Sequence, residues 1–123
     1  MGITPSMRGV ESVKAQIVAE GEEDHLGFWS IVRVVQGFLG TTDKKYVRCF
    51  TFALLSDLLA SGQLVAEFPA PNGREFDVLS TPVDELLHQV GEAWDKLGRD
   101  PTIGEIIWFA TPDRSLASQP HRA

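Results

Sequence analysis

The sequence predicts a mostly helical α+β fold built as one domain, and three observations carry that expectation. Apolar residues recur at offsets of three and four in several stretches between Val10 and Leu97, the spacing of amphipathic helices. One Asn72-Gly73 pair, preceded by Pro69 and Pro71, separates two short apolar runs and marks a hairpin tip. A chain of 123 residues with 43% hydrophobic and 23% charged residues suits one self-sufficient core. The core is expected over about 9–110, with poorly ordered tails at 1–8 and 111–123.

Val10, Val13, Ile17 and Val18 suggest a short helix stopped near Gly21, without saying whether it packs on the core. A stronger pattern follows the acidic cluster Glu22, Glu23, Asp24. Phe28, Ile31, Val32, Val35, Phe38 and Leu39 make a broad apolar stripe, with Asp24 as the expected N-cap and Gly40 as the stop. The next helix is capped by Thr42 or Asp43, carries Val47, Phe50, Leu54, Leu55, Leu58 and Leu59, and ends at Gly62.

Gln63 to Phe68 and Phe76 to Leu79 are the two hairpin strands. Thr81-Pro82-Val83-Asp84 reads as an N-cap with proline at the first helical position, opening a helix of Val83, Leu86, Leu87, Val90, Trp94 and Leu97 that stops at Gly98. The final apolar run, Ile106 to Phe109, is too short to decide between helix and strand for 103–109. The resulting order of helices, two-stranded hairpin and helix is winged-helix-like.

Charge limits the partners. Seventeen acidic and eleven basic side chains give a net charge of -6, which steers the chain away from nucleic acid and towards basic proteins. From Gly62 to Leu97 the imbalance is sharper: Glu67, Glu75, Asp77, Asp84, Glu85, Glu92 and Asp95 stand against Arg74 and Lys96. A wing of that sign repels phosphates. The bland alternative is a solvated acidic face. The DNA-binding alternative, a transcription regulator acting as a homodimer, rests on Lys44, Lys45 and Arg48 at the start of the helix before the hairpin.

No group nominates itself for catalysis. A Gly-x-Ser-x-Gly elbow and a phosphate-binding glycine loop are both missing from the sequence. Cys49, the one cysteine, excludes an intramolecular disulfide and is expected to be a small buried hydrophobe among Val47, Phe50 and Phe52. His25 beside Glu22 and Asp24 reads as part of a charged helix start, and His121 as a solvated tail residue. Glu85 and His88 have the Glu-x-x-His spacing of di-metal bundles, but that motif is needed twice and occurs once. The chain is therefore expected to be non-enzymatic, with no metal and no cofactor. Without a signal-like segment or about 18 consecutive apolar residues, it is expected in the cytoplasm.

From Tyr46 to Phe109 the chain carries Leu54-Leu55-Ser56-Asp57-Leu58-Leu59-Ala60-Ser61-Gly62, the hairpin, Thr81-Pro82, Trp94-Asp95-Lys96-Leu97-Gly98-Arg99, Pro101-Thr102-Ile103-Gly104-Glu105 and Trp108-Phe109. This stretch, about half the chain, resembles small bacterial winged-helix-like proteins, some of which are immunity proteins of secreted polymorphic, contact-dependent toxins. The resemblance implies a fold and a context: a protein-binding module that neutralises a basic toxin domain. The partner surface is expected on the acidic hairpin, at Glu67, Glu75 and Asp77.

Overall fold

In the computed structural model, residues 7–69, 76–99 and 106–113 are described. The fold is mostly helical α+β. Its elements run α1 (Met7–Glu23), β1 (Leu26–Gly27), α2 (Phe28–Leu39), α3 (Lys44–Ala60), β2 (Val65–Pro69), β3 (Phe76–Val78), α4 (Val83–Leu97) and β4 (Trp108–Ala110). The strands form one antiparallel sheet in the order β1-β4-β2-β3.

Helix α1 does pack on the core, through the buried Val13 and Ile17. It passes Gly21 and stops two residues later, at Glu23. Gly21 lies against Leu26, Leu64 and the backbone of Thr111, whose N–H donates to the Gly21 carbonyl at 3.4 Å. Thr111 is itself buried, so the core extends at least to that residue. The remaining tail positions, 1–6 and 114–123, lie outside the described residues, as do 100–105.

Two expected caps are corrected. Asp24 accepts from the N–H of the adjacent His25 and starts no helix. The chain first forms β1 against β4, and α2 begins after Gly27, whose extended backbone has no side-chain cap. The Trp29 indole folds over Gly27 so closely that a Cβ there would collide with it. At α4 the extended cap residue is Pro82, not Thr81, and no side chain caps the turn. Elsewhere the punctuation holds. Asp43 accepts from the N–H of Lys45 at 3.0 Å, and Gly40 and Gly98 end their helices at φ 68° and 66°, the left-handed region where a Cβ is disfavoured.

The last apolar run becomes a strand. Phe109 and Ala110 are fully buried in β4 between β1 and β2, while Ile106, at φ 75°, bends the chain into register. The Ile107 carbonyl then accepts from the N–H of Phe28 at 2.9 Å, fixing the entry of α2 to the sheet. Between helices and sheet, Phe28 meets Trp94 edge-on at 5.4 Å and stacks on Phe52 at 6.5 Å, an aromatic centre that joins α2, α3 and α4. No helix among the described residues is long and apolar enough to cross a membrane.

Candidate functional site

Helix α4 has two sharply different faces because its apolar residues keep the 3.6-residue period. Leu86, Val90, Gly91 and Trp94 are buried; Asp84, Glu85, His88, Glu92 and Asp95 are exposed. Where α4 lies beside α3, a groove of about 380 Å³ opens, lined by Arg48 and Phe52 from α3 and by Asp84, Leu87, His88, Gly91, Glu92 and Asp95 from α4. Its floor is apolar and its rim is largely carboxylate.

Arg48 occupies one end of this groove. Its guanidinium donates to both oxygens of Asp95, Nη1 to Oδ1 at 2.8 Å and Nη2 to Oδ2 at 3.3 Å. It also lies 5.2 Å from the Phe52 ring centroid and 5.8 Å from that of Trp94. Glycine at position 91 lets the guanidinium approach the helix closely: a Cβ there would stand 2.7 Å from Arg48 Nη2, and the arginine tip would have to shift. Lys44 Nζ, 3.6 Å from Asp95 Oδ1, adds a second positive charge to the same carboxylate.

Of the three residues expected to form a partner surface on the hairpin, the structure places the side chain of Glu67 alone, and places it inside. Glu67 is 0% exposed, on an inner strand flanked by β4 and β3, and its carboxylate pairs with His25 Nδ1. A carboxylate held there is part of the interior and not of the exposed surface. Asp77 lies in β3 opposite Phe68, and Glu75 lies outside the described residues. Of the exposed acids between Gly62 and Leu97, the structure gathers those of α4.

The basic residues behind the DNA-binding alternative are also redistributed. Lys44 and Arg48 both engage Asp95, and the exposed Lys45 has its backbone N–H in the Asp43 cap. His25, read as part of a charged helix start, instead reaches across to Glu67. His88 pairs with Glu92 at 2.7 Å, one turn away on an exposed surface, and no group of three or more metal-ligating side chains occurs among the described residues. His121 lies outside them. Cys49 is exposed, not buried. Two residues from the buried Val47, it is rotated by roughly 200° around the helix, away from the core stripe.

Sequence reasoning missed the groove itself, above all Phe52, Leu87 and Gly91. The available signal was Gly91: a glycine inside an otherwise strong helical pattern marks a close approach by another group. No protein-family model, no curated protein and no solved structure matches the chain.

Proposed function

We propose that this chain is a non-enzymatic protein-binding module that neutralises a basic partner, in the manner of an immunity protein covering a toxin domain. The observation that carries this reading is the exposed carboxylate row of α4, with Asp84, Glu85, Glu92 and Asp95 on one helix. Such a row steers a positively charged surface into contact and discriminates against acidic ones, and it requires no catalytic group. The winged-helix-like order of two helices, hairpin and helix belongs to the same proposal, with β4 added between β1 and the hairpin. The pairing of Lys44 and Arg48 with Asp95 weighs against the DNA-binding alternative, since those cations already face a carboxylate. The proposed site of action is the cytoplasm.

The test is co-expression with the product of each adjacent gene, a basic toxin domain being the partner expected. Protection of the host and a complex that elutes as one species are expected, with association slowing steeply as salt is raised. A chain that neither protects nor binds ends this reading.

A further inference from the structure

We propose that the α3–α4 groove is the seat for two arginine side chains of the basic partner, one near Asp84 and one near Glu92. The inference deepens the protein-binding reading and rests on it.

The groove already contains one guanidinium, supplied by this chain. Arg48 shows which chemistry the walls accept: an aromatic surface for the planar group and a carboxylate that takes both of its donors. Toward the start of α4 the same groove continues past Phe52, Leu87 and Gly91 to Asp84. Charge is not balanced along it. Asp95 is matched by Arg48 and Lys44, whereas Asp84 makes no ion pair among the described residues and Glu92 has one oxygen against His88.

An arginine suits the vacant stretch better than a lysine, because its guanidinium is planar and weakly hydrated and can lie on Leu87, beside the Phe52 ring that Arg48 already covers, while meeting a carboxylate. Spacing narrows the partner further. Asp84 and Glu92 are eight residues apart, and a helix rises 1.5 Å per residue, so they are separated by roughly 12 Å. Two arginines four apart on an extended segment, or seven to eight apart on a helix, match that distance. A diffuse positive surface has no such requirement.

The test titrates the intact chain with an acetylated, amidated hexa-arginine peptide at low salt and follows backbone amide chemical shifts. Shifts are expected to concentrate at residues 48–52 and 84–92. Affinity should fall about fivefold in Asp84→Asn/Glu92→Gln, as suits the loss of two exposed ion pairs. Glu11→Gln/Glu22→Gln removes the same charge from α1 and should stay within about twofold of wild type, the effect of diffuse attraction alone. Equal weakening in both variants, or shifts spread evenly over α1 and α4, overturns the groove. Co-expression with the adjacent gene products separates the two levels. A complex unaffected by Asp84→Asn/Glu92→Gln overturns the groove and keeps the protein-binding reading. Peptide binding in the groove without any complex supports the groove chemistry and overturns that reading.

Discussion

Replacing Gly91 by alanine sets two effects of similar size against each other. Alanine in a helix interior is favoured over glycine by about 0.8–1 kcal/mol. Gly37 in α2 should show that gain undiluted, because a Cβ there meets nothing within 4 Å. At Gly91 the new Cβ would stand 2.7 Å from Arg48 Nη2, so the arginine tip must shift, and complete displacement of the guanidinium sets the upper limit of the cost. The displaced contacts are the stacking on Phe52 and Trp94, about 0.5–1 kcal/mol, and the ion pair with the largely exposed Asp95, about 0.2–1 kcal/mol. Complete displacement would put Gly91→Ala between about zero and about -1 kcal/mol, some 0.7–2 kcal/mol short of Gly37→Ala, and a smaller shift of the arginine narrows that gap. Urea denaturation of both variants measures the difference. In an Arg48→Ala background the obstacle is gone, and Gly91→Ala should regain the full helical advantage. If Gly91→Ala stabilises the chain as much as Gly37→Ala with Arg48 present, the seat described for Arg48 does not exist.

Three further outcomes follow from the same structure. His25→Phe removes the imidazole that pairs with the buried Glu67 and should lower the urea midpoint; His25→Phe/Glu67→Leu should recover most of that loss, and an unchanged midpoint in the single variant would contradict the pairing. Lys14 is held above its ordinary pKa, mainly by the hydrogen bond to Asp57, with further attraction from Asp57 and Glu11 outweighing desolvation. A raised folded-state value means that its contribution is complete below the unfolded pKa and disappears as pH rises through the folded one; NMR titration of the Lys14 side chain should show the elevation, and Asp57→Asn should remove most of it. Cys49 should react with a thiol reagent such as Ellman's in the native protein at a rate close to that of a free thiol, and reaction only after denaturation would refute its exposed position.

Features governed by neighbours a few residues away were legible in the sequence. Gly40 and Gly98 end their helices as expected, Asp43 caps α3, and the apolar stripes of α2 and α4 face the core. What the sequence hid depends on distant partners. Leu26 and Gly27 give no strand signal of their own and become β1 only by pairing with Phe109 and Trp108. That pairing displaces the helix start from Asp24 to Gly27. Glu67 looks like an outward residue of a half-exposed hairpin, yet β4 on one side, β3 on the other and His25 from a remote loop enclose it. Cys49 is a different case, because helical phase relative to Val47 already pointed it outward and apolar neighbours in sequence misled. The α4 acids were visible individually; their grouping beside Phe52 and Arg48 required the α3–α4 contact.

The position of β4 also bears on how the chain is made. Because β4 lies between β1 and β2, neither β1 nor the hairpin has its inner neighbour until a segment more than eighty residues beyond β1 has left the ribosome. At typical elongation rates that delay lasts on the order of several seconds. During it α1, α2 and α3 can associate through local contacts, while Glu67 and the edge of β2 remain open to water and to other chains. Sheet closure is then a long-range step with a high entropic barrier, slower than helix assembly. Newly made chains are most vulnerable to aggregation and proteolysis in that interval, and Trp108-Phe109-Ala110 is the segment whose arrival ends it.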